Sequence, residues 1–345
     1  MLPIKPPFPP MDALSVPDIP EGPEWLYEPK WDGFRCLAFK DGGDDGEELE
    51  LQSKAGQPLA RYFPEVAEAL GALKAERFVV DGELAIPIGD RLSFDDLLQR
   101  IHPAASRVRK LAETTPALFI LFDLLVEGDD NLVETPLEER RARLEAWMAR
   151  WVKPGGLLRL SPATRDPGEA KEWFEAVNGS LDGIIAKRLD SPYQSGKRTG
   201  VVRKIKSVRT VDVVIGGFRY ASSGGVVGSL LLGLYEDGLL HHVGFTSSFT
   251  AAEKKDLTKR LEPLIEAPGF TGRSPGGPSR WSTERTGDWQ PLRPGLVAEV
   301  SYDHFTGGRF RHGTNLLRWR PDKAPEQCTM DQVALGGEEH LKLLL

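Results

Sequence analysis

Hydrophobic and polar residues alternate along the first part of the chain in ways that favour strands and helices in turn. Period-two alternation or short apolar runs predict strands over residues 31–40, 48–53, 77–86, 116–125, 183–187 and 201–206. Helical spacing predicts helices over residues 64–74, from residue 93, from residue 135 to about 150, and after residue 166. Residues 135–138, TPLE, are typical of a capping box with proline at the first helical position. The glycine- and aspartate-rich residues 41–47 predict a hairpin turn, and hairpins indicate largely antiparallel sheets.

From residue 211 the pattern changes to β-branched runs separated by glycines. Strands are predicted over residues 211–218, 230–235, 239–245, 296–302 and 316–320, with one helix over residues 251–261 and a long polar loop over residues 268–291. Short strands with a single helix favour a small barrel such as the OB-fold. The predicted fold class is therefore α+β. It comprises a mixed, largely antiparallel domain over residues 1–209, a barrel over 210–328, and a tail over 329–345 that packs on the barrel or is partly disordered.

The first 20 residues contain seven prolines, which predict an extended arm that lies over the first domain rather than a helix. They lack the apolar core of an export signal, and no run of about 18 apolar residues occurs elsewhere. The only cysteines, Cys36 and Cys328, form neither a disulfide framework nor a CxxC pair. These features predict a cytoplasmic protein without a membrane association.

The charge distribution matters more than the net charge. A net charge of −7 and a pI near 5.6 disfavour a protein that binds nucleic acid. Residues 187–209, however, include eight basic residues and only one acidic residue, Asp190. Such a run can attract phosphate on an otherwise acidic protein, and it is also compatible with a plain solvated face.

Residues 28–35, EPKWDGFR, bring several reactive residue types together. A lysine on the turn that enters a strand can present its amine at the mouth of a sheet, where Asp32 can hold or deprotonate it. Gly33 lets the backbone approach a nucleotide, and Arg35 can bind a phosphate through two hydrogen bonds. A lysine must lose its proton to act as a nucleophile, which neighbouring cations, burial or a metal ion favour. Lys30 is therefore a candidate nucleophile, although K-x-D-G alone also occurs on ordinary surface turns.

The same residues resemble the nucleophile motif of the covalent nucleotidyltransferases, which comprise ATP-dependent DNA ligases, RNA ligases and mRNA capping enzymes. The resemblance extends over nearly the whole chain and is greatest to the small two-domain bacterial ligases of the LigC type. It implies that Lys30 forms a covalent bond to AMP. It also implies a nucleotidyltransferase domain followed by an OB-fold domain.

Further motifs follow in the order of that family. Residues 52–56, QSKAG, resemble its S-R-x-G segment, with Lys54 in place of the phosphate-binding arginine. Residues 80–84, VDGEL, resemble the D-G-E-L motif, whose glutamate, here Glu83, binds the ribose. Residues 119–125 resemble the F-D-x-L strand, whose aromatic ring, here Phe122, stacks on adenine; alone, this Phe is as compatible with a core position.

The basic run carries two more motifs. Residues 181–187 resemble E-G-x-x-x-K, with Asp182 in place of the usual glutamate as a magnesium-supporting acid. Residues 203–206 resemble the K-x-K motif, and a period of two places Lys204 and Lys206 on one strand face, where both can reach the α-phosphate. Residues 318–323, RWRPDK, resemble an element of ligase OB domains that orients the pyrophosphate leaving group. Read alone, each of these segments is also compatible with a structural role.

The resemblance implies a full set of site residues. The catalytic residues are Lys30, Lys204, Lys206 and Arg35. The nucleotide-binding residues are Glu28, Lys30, Arg35, Glu83, Phe122, Lys187, Lys204 and Lys206, the metal ligands Asp182 and Glu83, and the nucleic-acid contacts Arg35 and Lys54. The OB-domain motif comprises Arg318, Arg320, Asp322 and Lys323.

The implied activity is ATP-dependent sealing of 5′-phosphate/3′-hydroxyl nicks in duplex DNA, through lysyl-AMP and DNA-adenylate intermediates. The cofactors are ATP and Mg²⁺, or Mn²⁺, and the substrate is nicked duplex DNA. The resemblance further implies a bacterial monomer that acts at the nucleoid in DNA repair, with a repair polymerase or an end-binding protein as a candidate partner.

Alternatives come from inside and outside the family. An NAD-dependent ligase is disfavoured because it needs a further domain before the lysine and zinc-finger cysteines, and only 29 residues precede Lys30. A GTP-using capping enzyme is the closer alternative, and an RNA ligase rarely carries this OB domain. A catalytically silent module that binds nicks or bridges ends would lose the nucleophile, whereas Lys30, Glu83, Lys204 and Lys206 are all intact.

Overall fold

The computed structural model describes residues 1–43, 46–89, 91–176, 182–206, 209–222, 224–276, 288–333 and 343–344. Tertiary contacts divide the chain into two compact units. The first unit comprises residues 1–207 together with 335–345, and the second unit comprises residues 208–334. No helix among the described residues is long and apolar enough to cross a membrane.

The first unit contains two principal sheets with helices packed against them. Its strands are β1 (Asp12–Ser15), β2 (Trp25–Pro29), β3 (Phe34–Gly43), β4 (Gly46–Ser53), β5 (Arg77–Ala85), β6 (Pro87–Ile88), β7 (Arg91–Leu92), β8 (Leu118–Glu127), β9 (Asp130–Asn131), β10 (Leu158–Leu160), β11 (Gly183–Arg188) and β12 (Arg198–Lys206). Its helices are α1 (Pro64–Gly71), α2 (Phe94–Gln99), α3 (Ala105–Thr114), α4 (Leu137–Trp151) and α5 (Pro167–Ala176). The smaller sheet has the order β1-β12-β11-β2, and the larger has the order β10-β8-β5-β3-β4 with β9 beside β8.

Most neighbouring strands of the first unit are antiparallel, as the sequence predicts. Among the described strands of this unit, β1 pairs in parallel with β12, and β10 with β8. Strand β8 is buried along nearly its whole length because α4 covers one face of the sheet. The hairpin of β3 and β4 is confirmed, but both strands run further into the predicted turn, with Gly43 opposite Gly46.

The proline-rich arm covers the other face of the large sheet. Leu2 and Met11 are buried there against Leu37 and Phe39, which confirms that the arm lies over the first domain. The sequence pattern did not predict β1, which forms within residues 11–16, where the arm has six consecutive residues without proline. The arm thereby supplies an edge strand of the smaller sheet.

The predicted capping box at the start of α4 is wrong. The helix begins at Leu137, its N-cap is Pro136, and no side chain caps it. The carbonyl of Thr135 instead accepts a hydrogen bond from Arg140 Nη1 at 2.6 Å. A capping box does form at α6 (Ala251–Leu261), where Thr250 and Glu253 exchange the two bonds.

The second unit is built on one curved sheet. Its strands are β13 (Arg209–Tyr220), β14 (Val227–Glu236), β15 (Leu239–Thr246), β16 (Gln290–Pro291), β17 (Val297–Tyr302), β18 (Phe305–Thr306), β19 (Arg309–Phe310) and β20 (Asn315–Trp319). The order is β15-β14-β13-β17-β20, with β16 beside β13. A bridge between Thr246 and Thr314 joins the two edges of this sheet. The sheet therefore closes on itself, as expected of an OB-fold barrel.

Two loop predictions in the second half need correction. Residues 268–291 are not wholly a polar loop, because Phe270 is buried in the barrel core against Trp289 and His242; residues 277–287 lie outside the described part of the chain. In the tail, Val333 packs on the barrel as expected. Leu344, in contrast, packs on the first unit, and residues 334–342 and 345 lie outside the described residues.

Candidate active site

Lys30 lies on the short connection between β2 and β3, and the backbone fixes it on both sides. Its N–H donates to the Gly183 carbonyl at 2.9 Å, and its carbonyl accepts from the Asp182 N–H at 3.0 Å. Its ammonium contacts the carboxylate of Asp182, which also lies 3.7 Å from Lys206 Nζ. The Lys30 ammonium is thus in contact with Asp182, the residue that the sequence suggests as a metal ligand.

Two glycines allow the strands to approach closely around Lys30. Gly183 has φ +132°, and a Cβ there would collide with the carbonyl oxygen of Ile205 on β12. A Cβ on Gly33 would collide with the carbonyl of Leu84 on β5. The structural requirement at Gly33 is therefore close packing against β5, in addition to the predicted approach of a nucleotide.

A cleft in the first unit brings most of the predicted residues together. Its walls include Glu28, Lys30, Arg35, Lys54, Glu83, Phe122, Lys187 and Lys204, together with four residues of the N-terminal arm at positions 10–13. Lys206 lies beside this group, because its Nζ is 3.7 Å from the carboxylate of Asp182. Arg318, Arg320, Asp322 and Lys323 belong to the second unit.

Cations flank the aromatic ring of Phe122. The guanidinium carbon of Arg35 lies 4.6 Å from the ring centroid, and Lys187 Nζ lies 4.5 Å from it. Arg35 also grips the buried Asp81 through two hydrogen bonds of 2.5 Å. Burial alone would lower the pKa of Arg35, but Asp81 outweighs it and raises that pKa. The guanidinium of Arg35, to which the sequence assigns phosphate binding, is therefore held in place by Asp81.

Glu28 and Lys187 form a buried ion pair at the base of the cleft. Lys187 Nζ donates to Glu28 Oε1 at 2.8 Å and to the carbonyl of Phe122 at 3.3 Å. Arg141 lies 3.8 Å from the same carboxylate oxygen. The Glu28 carboxylate is thus held between two cations, and it offers oxygen acceptors at the wall of the cleft.

Titration of two residues in the cleft is perturbed. Burial raises the pKa of Glu83 to about 7, although Arg35 and Lys30 oppose the rise. Burial, and then the charges of Lys30 and Lys206, lower the pKa of Lys204. Perturbed groups clustered in one cleft are typical of a functional site.

The raised pKa of Glu83 predicts a pH-dependent stability. An acid whose folded pKa lies above its unfolded value, 4.5, stabilises the fold below that value and loses this contribution as pH rises through about 7. Replacement Glu83→Gln removes the group. We therefore expect the free energy of unfolding of the variant, relative to the parent, to increase between pH 5 and 8, by at most about 1.4 kcal/mol per pH unit.

Urea unfolding at four pH values checks this, with Glu139→Gln, an exposed glutamate on α4, as the control. A stability difference that is constant with pH for Glu83→Gln would contradict the shift.

Sequence reasoning missed a buried polar network beneath the cleft. Tyr193 Oη donates to Asp81 Oδ2 at 2.6 Å and accepts the N–H of Met11 at 3.1 Å. Arg140 forms two hydrogen bonds of 2.8 and 2.9 Å with Asp123. The position of both acids beside motif residues, in VDGEL and FDLL, was the available signal.

In the second unit, the residues of the RWRPDK element are held by acids of that unit. Arg320 Nη1 contacts both oxygens of Asp212 at 3.0 and 3.1 Å, and Lys323 Nζ contacts Oδ2 at 2.7 Å. Arg318 pairs with Glu299. A hydrogen bond from Arg320 lowers the pKa of Asp322 to about 2. The element is therefore held on Asp212 through Arg320 and Lys323, and on Glu299 through Arg318.

The donor set of the cleft fits ATP. Phe122 offers an aromatic ring, and Glu28 and Glu83 offer carboxylate oxygens. Lys30, Lys54 and Lys204 bring positive charge for phosphates. The carboxylate of Asp182 is an oxygen ligand of the kind that Mg²⁺ takes.

The fold and the cleft define a nucleotidyltransferase with a C-terminal OB-fold region. The model of the ATP dependent DNA ligase domain matches residues 10–206, and that of the ATP dependent DNA ligase C terminal region matches residues 223–323. The chain belongs to the ATP-dependent DNA ligase family, whose members use ATP and a divalent metal ion.

Similar proteins agree with this assignment. DNA ligase C1 of Mycolicibacterium smegmatis is 46% identical over 96% of this chain and 95% of its own length. DNA ligase C of Mycobacterium tuberculosis is 44% identical over 96% and 95%. A solved Lig E DNA ligase is 17% identical with a TM-score of 0.54, covers 90% of this chain and 99% of its own, and shares the fold. The prediction of a LigC-type, ATP-dependent DNA ligase is confirmed.

Proposed function

We propose that the protein seals 5′-phosphate/3′-hydroxyl nicks in duplex DNA through a lysyl-AMP and a DNA-adenylate intermediate. The observation that carries this proposal is the position of Lys30, whose side chain is 18% exposed at the wall of a cleft that also contains Phe122 and Lys204. A partly exposed amine beside an aromatic surface and a second cation suits attack on the α-phosphate of a bound adenine nucleotide.

The first step is transfer of AMP to the protein. Lys30 gives up a proton and its Nζ attacks the α-phosphorus, so that an N–P bond forms as the bond to pyrophosphate breaks. Lys204 and Lys206 stabilise the charge that develops on the phosphate oxygens. Asp182 and Glu83 would hold the divalent ion, which supplies further positive charge to the phosphates.

The later steps use the same cleft. The AMP passes from Lys30 to the 5′-phosphate of the nick, and the 3′-hydroxyl then displaces AMP to form the phosphodiester. Arg35 and Lys54 are candidate contacts for the nick phosphate, with Arg35 oriented by Asp81. We assign Arg318, Arg320, Asp322 and Lys323 to the orientation of pyrophosphate, and Glu28 and Lys187 to recognition of the nucleotide.

We further propose a monomer that acts at the bacterial nucleoid in DNA repair, with a repair polymerase or an end-binding protein as a partner. Its adenylation domain spans residues 1–209 and its OB-fold domain 210–328, followed by the tail 329–345. A division of tertiary contacts near residues 207 and 208 supports the first boundary.

One assay tests the proposed function. The purified protein is incubated with Mg²⁺ and ATP, GTP or NAD on three substrates: nicked DNA, nicked DNA with ribose ends, and nicked RNA. Sealing of nicked DNA with ATP, together with an acid-labile and alkali-stable label on the protein from α-labelled ATP, is the expected result. A label from GTP in place of ATP would favour a capping enzyme, and binding of nicks without any label would favour a silent end-binding module.

A further inference from the structure

An acidic residue of the N-terminal arm lies in the cleft beside two of its cations. Asp12, on β1, pairs with Arg198 on β12, and its N–H donates to the carbonyl of Lys197 at 2.9 Å. One carboxylate oxygen contacts the ammonium of Lys54, and the other accepts from Arg198 Nη2 at 3.1 Å. Asp12, whose backbone β1 holds in place, thus bridges Arg198 on β12 and Lys54 in the turn after β4.

The three side chains differ in how firmly the fold holds them. The side chains of Lys54 and Arg198 are 58% and 59% exposed, whereas that of Asp12 is 26% exposed. Burial alone would raise the pKa of Asp12, but hydrogen bonds from Lys54 and Arg198 outweigh it and lower that pKa. Asp12 is therefore an anchored anion, and the two cations are free to reorient around it.

We propose that Asp12 is an internal counterion of Lys54 and Arg198 and that it weakens phosphate binding by these two cations at this end of the cleft. The inference rests on the proposed function, because it takes the cleft to be the nucleotide site. All three residues line the same cleft as Lys30 and Lys204. A phosphate that binds both cations displaces the carboxylate from them. Asp12 is then a positioning residue that acts through the two cations.

The sign of the effect follows from the exposure of the pairs. Ion pairs in which one side chain is more than half exposed stabilise a fold little, so the loss of these pairs leaves the cleft intact. The fixed negative charge, in contrast, repels every phosphate that enters. Removal of the charge at Asp12 therefore strengthens phosphate binding.

Two ligands bring a phosphate that can bind Lys54 and Arg198: the triphosphate of ATP and the 5′-phosphate of the nick. Two assays distinguish them. The first measures KM for ATP in transfer of AMP to the protein. The second measures, with protein already carrying AMP, the affinity for nicks that bear a 5′-phosphate or a 5′-hydroxyl.

The test variant is Asp12→Asn, which keeps the shape and removes the charge. We expect the KM for ATP, the dissociation constant for the nick, or both to fall roughly three- to tenfold, with kcat within about twofold of the parent. In the nick assay, we expect the substitution to change the affinity only for the nick that bears a 5′-phosphate. Asp12→Glu restores the parental constants. In a Lys54→Ala, Arg198→Ala background, Asp12→Asn has no further effect.

The matched control is Asp190→Asn, which removes an exposed acid paired with Arg188, away from the walls of the cleft. Unchanged constants for Asp12→Asn in both assays, or weaker binding, would overturn the proposal. Calorimetry with inorganic tripolyphosphate separates this failure from failure of the proposed function. If no variant takes up AMP, the proposed function fails, whereas tighter tripolyphosphate binding by Asp12→Asn still supports the counterion role of Asp12.

Discussion

Replacement Lys30→Ala is expected to abolish transfer of AMP to the protein, with a loss of roughly 10⁴-fold or more. The structure contains a specific reason for this. The backbone of Lys30 is held to Gly183 and Asp182 by hydrogen bonds of 2.9 and 3.0 Å, which fixes the point from which its side chain enters the cleft. Incubation with α-labelled ATP and Mg²⁺, followed by denaturing electrophoresis, measures the loss.

Lys30→Arg separates chemistry from folding. Arginine keeps a positive charge beside the buried carboxylate of Asp182 but does not deprotonate at neutral pH, so it cannot act as the nucleophile. We expect this variant to unfold at the same denaturant concentration as the parent and to take up no label. Lys171→Ala, an exposed lysine on α5, is the control for the loss of a lysine elsewhere.

A nick that already carries AMP tests the order of the steps. Its sealing needs the 3′-hydroxyl and the phosphate contacts but not the amine, so Lys30→Ala should still seal it within about tenfold of the parental rate. Label on Lys30→Ala, or no sealing of the adenylated nick by a folded variant, would contradict the proposed intermediate.

Local features of the fold follow from the sequence because they depend on neighbouring residues. The helix over 251–261 was predicted from helical spacing at the bounds that the structure has, and a capping box of Thr250 and Glu253 begins it. The capping box predicted for α4 does not form, because Thr135 has the residue type of a cap but its carbonyl accepts from Arg140 instead. A long-range partner therefore overrides a local preference.

The candidate site was predictable to the extent that its motifs are contiguous. Residues 28–35 indicated Lys30, and a period of two placed Lys204 and Lys206 on one face. Contacts between distant segments were not predictable, because they depend on strand order. The contact of Asp182 with Lys30 arises from the pairing of β11 with β2, and that of Asp12 with Arg198 from the parallel pairing of β1 with β12.

The second large effect is expected at a buried ion pair beneath the cleft. Arg140 and Asp123 have side chains that are 0% and 3% exposed, joined by two hydrogen bonds. Removal of one partner leaves the other charge buried without compensation. We therefore expect Arg140→Met to lower the free energy of unfolding by about 3–5 kcal/mol. Urea unfolding followed by circular dichroism measures the change, and Arg165→Met, from an exposed pair with Glu138, should cost less than about 1 kcal/mol.

The double variant Arg140→Met, Asp123→Leu tests whether the loss comes from the unpaired charge. Two apolar side chains in place of the pair leave no buried charge, so we expect the double variant to recover much of the stability that Arg140→Met loses. Nucleotide binding should still suffer, because Asp123 follows Phe122 on β8 and its carboxylate also accepts the Leu124 N–H. A double variant as unstable as the sum of both single variants would show that the two residues act independently.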